Sequence, residues 1–238
     1  VVLGVDINRL DVIKSTRPKP KDRSRRLLVG GSLCGFHRHG KRLALEIDDG
    51  RVLEFSLGMS GQLIVEKNDS LPPPNHTHLV WSLEHLVDGR RRRLFWRDPR
   101  RFGGVWAWPS MREMIDHKWS LIGADALEIE FETFKEKMKK TRRSIKTALL
   151  DQNLIAGIGN IYADEALWLS KIHGRRLTAK LSAKALRSVL DNAKDVMERA
   201  LDQGGTSFDA LYVNVNGQSG YFERSLNAYG REGEACRR

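Results

Sequence analysis

The chain has 238 residues, 40% of them hydrophobic and 30% charged, with a formal net charge of +11. That is enough apolar material for one or two cores, and the charge favours a polyanionic partner, a folded DNA or RNA binder first. No apolar run approaches the roughly 18 residues that cross a bilayer, nothing resembles a secretion signal, and Cys34 and Cys236 form no disulfide framework, so a cytosolic protein is expected.

The first half reads as sheet. Leu43, Leu45 and Ile47 alternate with polar or small residues, Asp49-Gly50 supplies a hairpin turn, and Leu53, Phe55 and Leu57 alternate with Glu54 and Ser56. Leu79, Trp81 and Leu83 precede a second such turn at Asp88-Gly89, with Leu94 to Trp96 beyond it. Short strands between turn signals predict an antiparallel sandwich or barrel. Pro72-Pro73-Pro74 reads as a stiff loop.

Between Met111 and Glu132 the strand signals have stopped and the helical ones have not begun, which places the domain boundary there. Helices are expected from about Ser144 to Gln152 and from about Asn160 to Ser170. From Leu181 to Gln203, Leu186, Val189, Leu190, Ala193, Val196, Met197, Ala200 and Leu201 form an i, i+3, i+4 stripe, with Ser182 as cap and Gly204-Gly205 as stop. The predicted class is therefore α+β, an antiparallel β domain followed by a helical one.

Arginines at 90–93, 97, 100 and 101 close the sheet half, and Lys135, Lys137, Lys139, Lys140, Arg142, Arg143 and Lys146 open the helical half. Two basic runs flanking a boundary favour a DNA-binding cleft over two solvated surfaces. The segment Gly157-Ile158-Gly159-Asn160-Ile161-Tyr162-Ala163-Asp164-Glu165 places glycines just before a helix, the build of a phosphate site of exposed amides and one Asn side chain.

Six segments in one order carry a resemblance: His37 to Arg42, Leu57-Gly58-Met59-Ser60-Gly61, Asp98-Pro99-Arg100-Arg101-Phe102-Gly103, Gly157 to Glu165, Gln203-Gly204-Gly205-Thr206 and Gly220-Tyr221-Phe222. Together they resemble the formamidopyrimidine-DNA glycosylases, whose family includes endonuclease VIII. The resemblance implies a β-sandwich (residues 1–115), a linker (116–131), a helix-two-turn-helix domain (132–222) and the start of a zinc-finger hairpin (223–238), with DNA held between the two domains. It also implies a monomer of the bacterial cytoplasm that removes oxidised purines such as 8-oxoguanine and formamidopyrimidines from duplex DNA and nicks the abasic strand.

Everting a damaged nucleotide leaves a gap that costs a few kcal/mol unless something fills it. Met59 and Phe102 have the characters of fillers and Arg100 that of a bidentate donor; Met59 and Phe102 both sit in Gly-containing turns, where loops on a rigid sheet favour function over core packing. By resemblance Arg100 reads the cytosine opposite the lesion, Met59 and Phe102 replace the extruded purine, and Lys41 is a catalytic-site lysine contacting phosphates. Lys146 resembles the lysine that reaches toward the lesion nucleotide, and His76 and Arg142 resemble DNA-contacting residues. A zinc role for His76 with His78 lacks further ligands at fitting spacing. Asn160 and the amides around Gly159 are expected to grip a phosphate, and Tyr229, Gly230 and Arg231 resemble a second backbone contact. Val213, Asn214, Asn216, Gly217 and Tyr221 resemble a mobile loop that closes over the flipped base, although glycine and asparagine equally mark an ordinary exposed loop.

Two departures matter. Family members begin with proline and glutamate, the proline amine attacking the sugar, whereas this chain begins Val1-Val2-Leu3-Gly4. Cys236 stands where a Cys-x-x-Cys pair of a four-cysteine zinc site would open, and the chain ends before a second cysteine. The expectation is that both ends are trimmed, that the intact protein holds one structural zinc, and that these residues alone bind DNA without zinc and without catalysis. A degenerate paralogue and a non-catalytic DNA binder remain the rivals; an RNA-binding module leaves Met59 and Phe102 without a role.

Overall fold

The computed structural model describes residues 1–14, 22–66, 72–206, 220 and 222–238. Val1–Trp119 forms one compact unit, and a second begins at Ser120.

Among the described residues eight strands build the first unit: β1 (Val2–Ile7), β2 (Leu33–His39), β3 (Arg42–Ile47), β4 (Val52–Ser56), β5 (Gln62–Glu66), β6 (Thr77–Glu84), β7 (Arg91–Arg97) and β8 (Gly104–Trp108). They form two antiparallel four-stranded sheets, ordered β1-β6-β7-β5 and β2-β3-β4-β8. Both turns predicted from Asp-Gly pairs join antiparallel neighbours, β3 to β4 and β6 to β7. Inward residues of both sheets, Val2, Leu45, Leu53, Phe55, Leu79, Trp81, Trp96 and Val105, share one core with Leu27 and Leu28, which follow the short helix α1 (Arg23–Arg26). Phe55 meets Trp81 edge-on at 5.9 Å and Trp96 at 5.6 Å between centroids, and Trp81 Nε1 donates to Leu27 O at 2.9 Å. Each such side chain withdrawn from water contributes about 1.5–3 kcal/mol before entropy is charged against it.

The stretch after Met111 departs from expectation, because α2 (Met111–His117) stands where no helical signal was read. Its start is a local cap: Ser110 Oγ accepts from Glu113 N at 3.2 Å. Met114 and Met111 of this helix pack with Ala44, Val52, Trp108 and Trp119 on the outer face of the second sheet. Glu54, which simple alternation assigns to solvent, is consequently fully buried. Its carboxylate accepts from Trp108 Nε1 at 3.0 Å and Trp119 Nε1 at 3.2 Å, with Arg42 at 3.8 Å.

The second unit contains α3 (Phe131–Lys140), α4 (Ile145–Leu150), α5 (Asn160–Leu169) and α6 (Ala183–Asp202). Ser144 and Ser182 cap α4 and α6 through their hydroxyls, so two of the expected helices start where capping chemistry puts them. The α6 stripe is buried from Leu186 to Ala200, but Leu201, at the rim of the stripe in the last turn, is 66% exposed. Phe134, Met138, Ile145, Leu149, Ile155, Ile158, Ala163 and Leu190 are among the residues of one helical core, while Val196 and Ala200 pack on Phe222 and Leu226. The architecture is thus α+β, and no helix among the described residues is long and apolar enough to cross a membrane.

Candidate nucleic-acid interface

Three protruding side chains stand on two turns of the first unit. The turn Leu57–Gly61 joins β4 to β5, and Asp98–Gly103 joins β7 to β8. Met59 is 51% and Phe102 65% exposed, and Arg100 is exposed, so none of the three belongs to the core. Beneath them the backbones are nearly in contact: Gly58 has φ +60°, and a Cβ there would lie 2.7 Å from the Phe102 carbonyl carbon and 2.8 Å from Gly103 N. Arg101 itself takes a left-handed φ of 59°. Ser60 Oγ donates to Asp98 Oδ1 at 2.6 Å and accepts from Arg100 N at 3.0 Å, and Asp98 Oδ2 accepts from Gly103 N at 2.8 Å.

His76, with φ 67°, is exposed, and its carbonyl accepts from Asp98 N at 3.2 Å. His78 is buried and directs Nε2 to the Asp98 carbonyl at 2.9 Å, so the two histidines do different work. Lys41 occupies a two-residue hairpin with Gly40 between β2 and β3, closed by the His39–Arg42 pair. Gly40 has the positive φ, 56°, that tight hairpins require at their first central residue. Lys41 is exposed as a residue, yet protein packed around its ammonium removes hydration and lowers its pKa below the ordinary lysine value. The neighbouring His39 ring stacks on Trp119 at 5.7 Å.

In the second unit the predicted phosphate cradle forms the turn into α5. Gly157 has φ 106° and requires glycine, whereas Gly159, the N-cap, has an ordinary extended φ of −113°. Gln152 braces this turn: Oε1 accepts from Gly157 N at 3.0 Å, and Nε2 donates to Leu150 O and Ile158 O at 3.0 Å. No side chain caps α5 and no acidic residue lies in its first turn. Its positive end is therefore open to an anion, with Asn160 exposed beside it.

Lys146, on α4, pairs with Asp164 of α5 at 2.7 Å. Arg142 is exposed. The basic run around it is less free than its sequence suggests, since Lys135 pairs with Glu132, Lys140 with Glu136 and Arg143 with Asp151, and Lys139 donates to Ala179 O at 2.9 Å. Near the end of the chain, Glu165 is buried and accepts from the backbone amides of Asn227, Ala228 and Tyr229 at 2.7–3.0 Å. Arg231, expected to meet DNA, turns inward onto Glu234 at 2.8 Å and Asn227 O at 3.1 Å. Cys236 is exposed; a backbone hydrogen bond from Arg238 and the charges of Arg238 and Arg231 lower its thiol pKa. Among the described residues no group of three or more His, Cys, Asp or Glu is placed to hold a metal ion, so Cys236 lacks partners for a zinc site there. Val213, Asn214, Asn216, Gly217 and Tyr221 lie outside the described residues.

Ser60, Asp98, Gln152 and Glu165 support the exposed groups and were not singled out by residue type. The available signal was that Ser60, Asp98 and Glu165 lie in Gly-containing segments that the resemblance marks; Gln152, five residues before Gly157, carried none.

The description "Formamidopyrimidine-DNA glycosylase N-terminal domain" matches residues 1–105, and "Formamidopyrimidine-DNA glycosylase H2TH domain" matches residues 122–210. A formamidopyrimidine-DNA glycosylase of Nocardioides sp. is 45% identical over all of this chain and 81% of its own length. One from Mycobacterium avium is 45% identical over 99% of this chain and 82% of its own. The Lactococcus lactis Fpg in complex with abasic-site-containing DNA superposes with a TM-score of 0.84 at 28% identity, covering 100% of this chain and 83% of that one. The same Lactococcus protein with a FAPY-dG-containing DNA gives 0.83 at 28% identity, again over 100% of this chain and 83% of that one. The chain belongs to the formamidopyrimidine-DNA glycosylase family.

Proposed function

We propose that the intact protein is a base-excision enzyme that removes oxidised purines, 8-oxoguanine and formamidopyrimidines, from duplex DNA and then cleaves the abasic strand by elimination. The observation that carries the proposal is the exposed trio Met59, Arg100 and Phe102 standing on two turns bonded to each other. A thioether and a flat ring fill the space of an everted purine, and a guanidinium donates two parallel bonds to the base left opposite. Asn160 and the open end of α5 hold a phosphate beside the lesion, fixing register without reading sequence. Arg142 and His76, both exposed, add backbone contacts, while Tyr229 and Arg231 act by ordering the last segment.

The nucleophile is the secondary amine of a terminal proline, which attacks C1′ as the base departs and leaves an imine; loss of the C2′ proton then expels the 3′ phosphate. Lys41, its ammonium partly desolvated, is suited to hold a phosphate oxygen and to move a proton at that stage. Lys146 is delivered toward the lesion nucleotide once Asp164 yields it. A polypeptide limited to these 238 residues, starting Val1-Val2, has no such proline, and for it we propose salt-sensitive DNA binding without base removal. One structural zinc, with Cys236 among its ligands, is assigned to the intact protein, and no chemical step depends on it.

The test is borohydride trapping of the full-length protein on a duplex with 8-oxoguanine opposite cytosine. A covalent adduct is expected, and its absence, with binding intact, would leave a non-catalytic DNA binder instead.

A further inference from the structure

We propose that Ser60 and Asp98 are positioning residues that couple the Met59 turn to the Arg100–Phe102 loop, so that the three exposed side chains enter a DNA gap as one rigid body. The inference rests on the gap-filling reading of those three residues.

Ser60 is 2% and Asp98 1% exposed, so neither side chain reaches a bound duplex. Their hydroxyl-to-carboxylate bond of 2.6 Å links positions 38 residues apart, on turns that leave different strands. The Ser60 hydroxyl is used in both directions, donating to Asp98 and accepting from Arg100 N at 3.0 Å, next to the very side chain that protrudes. Asp98 closes the other end of the loop, because its second oxygen accepts from Gly103 N at 2.8 Å, immediately after Phe102. Its carbonyl takes His78 Nε2 at 2.9 Å and Arg101 N at 3.2 Å, and its amide donates to His76 O at 3.2 Å. One buried aspartate therefore ties the residues before, within and after the protruding loop, and one serine ties that assembly to Met59. Gly58 and Gly103 let the two backbones approach closely enough for these bonds to form.

Insertion into a base gap orders the inserted side chains. A loop already ordered loses less entropy at that moment, and its advantage is confined to the gapped complex. A merely structural role would lower the binding of every DNA alike, through loss of folded protein.

The experiment compares, for the full-length protein, the affinity for a duplex carrying an abasic analogue opposite cytosine with that for the undamaged duplex, well below the melting temperature. Ser60→Ala is expected to reduce this preference by about 10- to 150-fold, the worth of one buried charge-assisted hydrogen bond, and to leave undamaged-duplex affinity within about twofold. In a double-mutant cycle, Ser60→Ala and Phe102→Ala should be markedly non-additive in the preference, because an unpositioned ring has less left to lose. Additive effects, or an equal loss on both duplexes, overturn the coupling. If Ser60→Ala does not fold, Asp98→Asn carries the same comparison, since one amide cannot accept from both Ser60 and Gly103. Met59→Ala and Phe102→Ala alone are the control: a preference unchanged in both defeats the gap-filling reading itself, whereas a loss there with none in Ser60→Ala defeats only the coupling.

Discussion

Replacing Glu165 with glutamine preserves the shape of the side chain and removes the charge from a buried carboxylate that holds three consecutive backbone amides. Oε1 accepts from Asn227 N, Ala228 N and Tyr229 N at 3.0, 2.7 and 3.0 Å, and Oε2 from Asn227 N and Nδ2 at 2.9 and 3.3 Å. A bond to a charged acceptor contributes about 1.5–3 kcal/mol against about 1 kcal/mol for a neutral one. Glutamine keeps a carbonyl on the Oε1 side but turns an NH2 toward the donors of Asn227, so one side weakens and the other is lost. The net cost is about 2–3 kcal/mol, or about 30- to 150-fold in the equilibrium for opening the segment. Because Asn227, Ala228 and Tyr229 lie outside the helices, this stretch opens without unfolding the helical core. Amide hydrogen exchange at Asn227, Ala228 and Tyr229 reads the opening directly. Protection should fall by that factor there and stay unchanged in α6; a change below about threefold at all three amides would refute the reasoning.

Gly58→Ala should destabilise the first unit by about 2–4 kcal/mol in urea denaturation, because strain at positive φ adds to a clash with the Phe102 and Gly103 backbone. Gly89→Ala has a similar φ of 65° and nothing within 4 Å of the added carbon, so only the conformational cost of about 1–2 kcal/mol remains; equal effects at the two sites would contradict the close-approach argument. Lys41 should titrate below the other lysines when followed by NMR of 13C-methylated side chains, since desolvation disfavours its ammonium. The sign follows: the charged form is penalised in the folded protein, so the contribution of Lys41 to stability becomes more favourable as pH rises from below its depressed pKa toward the unfolded value of 10.5. A Lys41 signal that titrates with or above the rest contradicts the burial of its ammonium.

What sequence periodicity made legible were elements whose signals are local. Asp49-Gly50 and Asp88-Gly89 announced hairpins because the turn chemistry lies within the turn, and α6 was legible because seven of its core residues repeat on one face. Strand β8, Gly-Val-Trp-Ala-Trp, alternates no polar residues and gave no such signal. Glu54 misleads the alternation rule because the cover on its face comes from Trp108, Trp119 and α2, more than fifty residues later. The exposed side chains Met59, Arg100, Phe102 and Asn160 were legible as residue types in or beside turns. Their supports were not, since Ser60 meets Asp98 and Glu165 meets Asn227 through bonds spanning 38 and 62 residues. Arg231 shows the converse: a cation in the right place in sequence whose guanidinium the fold has turned onto its own chain.

The hairpin that carries Lys41 leaves no slack in chain length. Gly40 and Lys41 are the whole connection between His39 and Arg42, and both flanking strands are paired along their length, β3 on both edges. One added residue would have to slip β2 against β3, exchanging the faces of every side chain on one strand, or bulge out and carry the lysine away. The β6–β7 connection is different, with Leu86 and Val87 at its tip 71% and 90% exposed. Insertions for labels or affinity tags therefore belong at that second tip, while the length of the first is fixed by the strand pairing on either side of the lysine it holds.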